Sequence, residues 1–197
     1  MSMGNSKNSQ PVTAKEVSVR AFQEEDILPL VEYWTGNSEE FWRQRGVDPA
    51  KLSSREAFIT GYQKAFKEKG GVSTVVTILL QGKAIGVHTL TDLIPKESAV
   101  FHAHIWKEEN RRRGVGIYSY LKGSEFFLKN LSLKKILFKT PKLNMAAHRI
   151  KEKIGIPPLG DTLFDAPILF SPLPATLYEL SLEQIQILKK KHKMDVL

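Results

Sequence analysis

The run Asn110-Arg-Arg-Arg-Gly-Val-Gly-Ile117 places three guanidinium groups and two glycines where an apolar, strand-like segment (Val100 to Trp106) gives way to a helix-like one (Val115 to Lys129). Glycines in the order Arg111-x-x-Gly114-x-Gly116 let the backbone turn tightly, so that free N–H groups point outward at the positive end of a helix dipole. Such a corner is a cradle for a pyrophosphate. The side chains of Arg111, Arg112 and Arg113 either reinforce it or form a solvated loop. Just upstream, strand alternation sets Val100, His102, His104 and Trp106 on one face and Phe101, Ala103 and Ile105 on the other. Histidine titrates near working pH, so His102 and His104 are candidates for proton transfer, or else for hydrogen bonding in the interior. Two histidines at this spacing also suit a metal, but no third ligand is evident and no metal site is expected.

Several elements must position these groups. Val17-Ser-Val-Arg20 alternates like a short strand, and Glu24-Glu25-Asp26 opens a helix carrying Ile27, Leu30 and Val31. A second helical piece holds Phe41 and Trp42. A third, with capping-box spacing at Ser53-Ser-Arg-Glu56, sets Phe58, Ile59, Tyr62 and Phe66 on one face and ends at Gly70-Gly71. Thr74 to Leu80 and Ala84 to Leu93 are strands joined by a tight hairpin at Gln81-Gly82-Lys83, and Val100 to Trp106 follows a turn at Pro95–Ser98. After the glycine turn and its helix come a strand (Leu133 to Phe138) and a short helix (Asn144 to Ile154) stopped by Gly155 and Pro157-Pro158. Weaker strand signals at Leu163-Phe164 and Thr176 to Leu180 precede a last helix capped by Ser181. This order predicts an α+β domain over residues 16–181 with helices on both faces of a mixed sheet. Residues 1–15 read as a disordered tail, and 182–197 as a C-terminal helix fading into a basic tail.

The chain has 197 residues, 42% apolar and 25% charged, with no cysteine, which excludes disulfides, thiolate metal sites and a cysteine nucleophile. No apolar run nears the roughly 18 residues of a membrane span, and the polar start lacks a signal-peptide core, so cytoplasm is the expected location. Net charge is +8, of which residues 134–153 carry +6 (seven Lys and Arg less Glu152). A basic stretch can meet nucleic acid, an acidic membrane or a phosphorylated ligand, or be a solvated face.

Arg111-Arg-Arg-Gly114-Val-Gly116 resembles the Q/R-x-x-G-x-G/A pyrophosphate motif of the GNAT superfamily of acyl-CoA-dependent N-acyltransferases. Asn144-Met-Ala-Ala147 through Gly155-Ile156 is similar to that family's later N-x-x-A-x(7)-G helix, with one strand between the two motifs, as in the family. The resemblance covers roughly residues 16–180. It implies a mostly antiparallel sheet of six to seven strands, with a V-shaped splay between the fourth (Val100 to Trp106) and the fifth (Leu133 to Phe138).

What the resemblance further implies is transfer of acetyl from acetyl-CoA to a primary amine by direct attack, with no covalent intermediate. The pantetheine arm would bond to backbone of Ile105, Trp106 and Lys107 as an added strand does, and one N–H there, that of Ile105, would support the oxyanion. Backbone N–H groups of Arg112, Arg113, Gly114, Val115, Gly116 and Ile117 would take the pyrophosphate, and Asn144 would contact the arm. The family's frequent glutamate near the start of the fourth strand is Val100 here, which turns attention to His104 and then His102 as base. Its tyrosine seven residues after the asparagine is Lys151, expected to face solvent or a phosphate; His148, one turn after Asn144, or water would protonate the thiolate instead. Trp34, Trp42, Tyr62 and Phe66 are core aromatics or the roof of an acceptor pocket. The acceptor is a small-molecule or protein amine, and relatives often form homodimers. Two alternatives stay open: an acyl-CoA sensor without turnover, favoured by Val100 and Lys151, and an acetyltransferase of a ribosome- or RNA-associated target.

Overall fold

Alternating apolar residues along the central strands bury two faces, not one. Val75 and Val87 pack with Phe22, Ile27 and Leu30 on one side of the sheet, whereas Val76, Leu90 and Phe101 pack with Leu121, Phe127 and Ile185 on the other. The sheet between them is described by a computed structural model covering residues 11–111 and 113–194. Its seven strands are β1 (Val17–Ala21), β2 (Val75–Leu80), β3 (Lys83–Ile94), β4 (Ser98–Ile105), β5 (Lys135–Pro141), β6 (Gly160–Phe164) and β7 (Leu173–Ser181), in the spatial order β1-β2-β3-β4-β5-β7-β6. Every pairing is antiparallel except the parallel one of β4 with β5. Helices α1 (Ile27–Thr35), α2 (Glu39–Arg43) and α3 (Arg55–Lys69) supply the first face, and α4 (Val115–Asn130), α5 (Met145–Ile154) and α6 (Leu182–Lys191) the second.

Two features of this frame set the site. Asp26, buried at the start of α1, accepts from Thr77 Oγ1 (2.6 Å), from Gln23 N–H (3.0 Å) and from the Arg20 guanidinium. A buried carboxylate bonded this way pins α1 to β1 and β2. The second feature is the parallel pair. β4 and β5 stay in register only over Ser98↔Lys135, Ala99↔Ile136 and Val100↔Leu137. Beyond that point β4 follows β3 as far as Gly86↔Ile105, and β5 follows β7 as far as Pro141↔Ala175. The sheet therefore splits, as the resemblance implies.

Three expectations are corrected. Residues 11–15 of the supposed tail are ordered: Val12 is buried with Val17, Ile78 and Val115, its N–H bonds to Arg113 O (2.9 Å), and Thr13 caps a short turn at Ala14–Glu16. A lone valine in a polar run carries no periodicity, so the sequence pattern cannot show this. Residues 1–10 lie outside the described residues. The cap of α3 is Ser54, whose hydroxyl accepts from Ala57 N–H, one residue later than the capping-box spacing implies. The C-terminal segment docks instead of fading: Ile185 and Leu188 are buried, Lys189 bonds Glu125 of α4 (3.1 Å), and the His192 ring bonds Ile154 O (2.9 Å).

Candidate active site

The split between β4 and β5 opens a cavity of about 340 Å³ that passes through the sheet. On the α1 side it meets Tyr33, Trp34, Trp42, His102 and His104; on the α4–α5 side it meets Tyr120, Phe138, Asn144, Ala147 and Lys151. The histidines face it because β4 alternates as the sequence predicts: Phe101 and Ala103 pack under α4, while Trp106 packs with α1 and α3 residues. His104 lies against the rings of Trp34 (5.2 Å) and Tyr33 (5.6 Å). The His102 Nε2 meets Thr91 Oγ1 at 2.8 Å. Burial pushes the imidazolium form down in both, to about 4 for His102 and about 3 for His104. Both rings are therefore neutral at physiological pH, and the burial that keeps them so makes each a weak base until the charge that forms on it is compensated in the reacting complex.

Backbone polarity along β4 follows from one bond. Trp106 N–H bonds Ile85 O (3.0 Å), so that N–H is not available to an added strand. By antiparallel alternation, the N–H and C=O of Ile105 then turn the other way, into the split. The Ile105 carbonyl already accepts from Arg111 Nη2 (2.8 Å). Arg111 thus braces the mouth of the split through one of its five donors. Lys107 forms the turn after β4, its carbonyl accepting from Asn110 N–H (3.2 Å).

The glycine corner has the expected shape. Gly114 has φ +88° and is the N-cap of α4, a conformation that side chains resist. Gly116 lets α4 approach α5, since a Cβ there would lie 2.9 Å from Ile150 Cδ1. Ile117 N–H turns back onto Gly114 O (3.1 Å), and the amides of Gly114, Val115 and Gly116 stand at the cap and first turn of α4, where helices leave N–H groups without an intrahelical acceptor. Arg113 is held at this corner through its carbonyl bond to Val12, and Arg112 lies outside the described residues. Asn144 is the N-cap of α5, its Oδ1 accepting from Ala147 N–H (3.1 Å), and it lines the cavity.

Lys151 and His148 exchange the places that the sequence implies. Lys151 is 2% exposed, and its ammonium sits over the rings of Tyr120 (5.0 Å), Phe138 (5.1 Å) and Tyr178 (5.6 Å), with no carboxylate partner among the described residues. Its nearest polar contact is weak, Ala147 O at 3.5 Å. Burial lowers its pKa to about 7. His148 faces away from the cavity: Nε2 donates to Pro141 O (3.1 Å), which makes Nδ1 the acceptor for the Tyr178 hydroxyl (2.7 Å). Helical spacing puts 144, 148 and 151 on one side; only the packing of Tyr120, Phe138 and Tyr178 decides which residue the cavity meets.

This geometry has the family's form. The acetyltransferase (GNAT) domain model matches residues 16–156, and the chain belongs to that family. Three solved structures share its fold. They are the RimL ribosomal L7/L12 alpha-N-protein acetyltransferase with coenzyme A (15% identity over 86% of this chain and 96% of that one, TM-score 0.64), a spermidine N-acetyltransferase from Vibrio cholerae with CoA and spermine (16%, 87% and 99%, TM-score 0.68) and the aminoglycoside acetyltransferase AAC(6')-Ib with coenzyme A (16%, 87% and 98%, TM-score 0.63). No curated protein sequence matches the chain at a significant level.

Proposed function

We propose that the protein is an N-acetyltransferase that moves acetyl from acetyl-CoA to a primary amine by direct attack. The observation that carries this reading is the cavity that crosses the sheet at the β4–β5 split, with proton acceptors on one side and a proton donor on the other. The acetyl carrier is a substrate here, and the chain offers it a matched set of groups. The amides of Gly114, Val115 and Gly116 at the start of α4 suit a diphosphate, and the Ile105 N–H, turned into the split, suits a thioester oxygen.

The chemistry then divides between the two sides. The amine nitrogen forms a bond to the thioester carbonyl carbon, and the Ile105 N–H stabilises the resulting oxyanion. His104, neutral and against the aromatic wall, takes the proton released by the nitrogen, with His102 beside it on the same strand face. As the carbon–sulfur bond breaks, the Lys151 ammonium on the α5 side gives its proton to the sulfur, and the products are an acetamide and the free thiol. No cysteine is available to carry the acyl group.

The test is twofold. Calorimetry should detect uptake of coenzyme A, and a thiol-release assay with acetyl-CoA should show turnover on members of an amine panel. Binding without any turnover would instead favour an acyl-CoA sensor, and absence of binding would end the transferase reading.

A further inference from the structure

Among the described residues, every charged side chain that lines the cavity is cationic. They are Arg45, Lys139 and Lys151, and no Asp or Glu is among them. Lys139 is offset by Asp92 (3.2 Å) at the rim, and Lys151 belongs to the proton path proposed above. Arg45 remains. Its guanidinium lies 3.6 Å from the Phe41 ring centroid and spends one donor on Phe41 O (2.7 Å), with no carboxylate partner among the described residues. A planar cation with most of its five donors uncommitted, at the mouth of a cavity, is a receptor for a carboxylate.

The rest of the wall is flat and apolar. Trp34 and Trp42 stack at 4.8 Å with 10° between their planes, and Tyr33 stands edge-on to Trp42. The indole N–H of Trp42 is buried without an acceptor, so the wall holds a donor that a ligand oxygen would satisfy. Tyr33 links the two ends: its ring packs on His104 at 5.6 Å, and its hydroxyl feels the positive charges of Arg111 and Arg45. An amine brought to His104 would extend its other end along this wall toward Arg45, which lines the same cavity.

We infer that the acceptor is a small amine that carries a carboxylate on an aromatic or apolar body, and not a polycation. This rests on the acetyl-transfer reading. A polyamine or an aminoglycoside would bring further ammonium groups to a cavity whose described lining offers them no carboxylate and carries Arg45 at its exposed mouth and Lys151 within.

Phenylalanine and phenethylamine differ only in the carboxylate and make the direct comparison, with spermidine as the polycation. The wild type should show the highest kcat/KM for phenylalanine and the lowest for spermidine. Arg45→Gln should lower the phenylalanine-to-phenethylamine ratio about tenfold, the size of one lost charge-assisted hydrogen bond. A preference for spermidine, or a ratio unmoved by R45Q, overturns the inference. Should none of the three turn over, calorimetry on the CoA-loaded protein decides: N-acetylphenylalanine must bind more tightly than N-phenethylacetamide, and equal binding overturns it. Failure of coenzyme A itself to bind removes the acetyl-transfer reading instead, so the two failures are distinguishable.

Discussion

An ammonium group walled in by Tyr120, Phe138 and Tyr178 gives up hydration that three ring faces restore only in part, so Lys151 is a cost to the fold. Lys151→Met keeps the volume and removes the charge. It should raise stability at pH 7 by about 1–2 kcal/mol, read as a higher Tm, and lower kcat about a hundredfold. A merely structural lysine would give the first effect without the second. The pH profile separates them further. With a pKa of about 7 the donor form disappears as pH rises, so the wild-type kcat should decline above neutrality. The variant should lack that alkaline limb, and its persistence would sink the assignment. His104→Ala should cost about a hundredfold in kcat without an acid limb in the wild type above pH 5, because the ring is already neutral there. At this scale the sequence is only half legible. His102 and His104 follow from strand alternation, which depends on neighbours two residues away. Lys151 sits between Ile150 and Glu152 on an amphipathic helix, and its burial is decided by rings from α4, β5 and β7. Arg45 had no signal at all, since a short loop after α2 places it.

The elements that serve the site are those whose period or punctuation is strongest. The glycine corner, the first five strands, α3 and α4 could be read from alternation, helical spacing and turn residues, and the corner's backbone does adopt the left-handed conformation at Gly114. Gly114→Val tests that link. At φ +88° a β-branched residue costs about 1–2 kcal/mol or more, yet no neighbour lies closer than 4.0 Å to the added carbon, so the chain should fold with a lowered Tm. Coenzyme A affinity should drop at least about tenfold, because the amide set is no longer aligned. Wild-type affinity in calorimetry would refute the role of that corner. Where sequence reading fell short, a local rule was overridden. The α3 cap slips one residue because two serines stand side by side and either hydroxyl could cap. β6 and β7 are extended well past their apolar cores because prolines at 157, 158 and 174 hide the pattern, and pairing with β5 decides their length.

At the scale of the whole molecule, the charge of the basic stretch is mostly paired locally, while the net charge remains +8. Within the basic stretch 134–153, Lys134 pairs with Glu97 (2.7 Å), Lys135 with Glu179 (3.2 Å), Lys139 with Asp92 (3.2 Å) and Lys142 with Asp161 (2.6 Å), while Lys151 is buried. Charge counting cannot anticipate partners that lie on other strands, and the continuous basic face it implies is not formed. What remains is a molecule whose stability is tilted by buried bases. His88 is wholly buried and held to about 3, as His104 is, and His102 is held to about 4. Unfolded histidines titrate near 6.5, so between about pH 6.5 and 4 the unfolded chain binds more protons than the folded one. Stability should therefore be intact above pH 6.5 and fall steadily as the solution is acidified. Lys151 acts in the same direction at the other end: its folded pKa of about 7 against about 10.4 unfolded adds stability as pH rises across that range. Tm followed by circular dichroism should climb from pH 4 to pH 9, in both windows. His88→Leu, which places no charge-bearing ring against Gly123, should lessen the acid slope by about a third, since His102 and His104 remain, and leave the alkaline one, whereas K151M should remove the alkaline slope and leave the acid one. A Tm indifferent to pH between 4 and 6.5 would mean that these rings are hydrated in the native state and titrate there as they do in the unfolded chain.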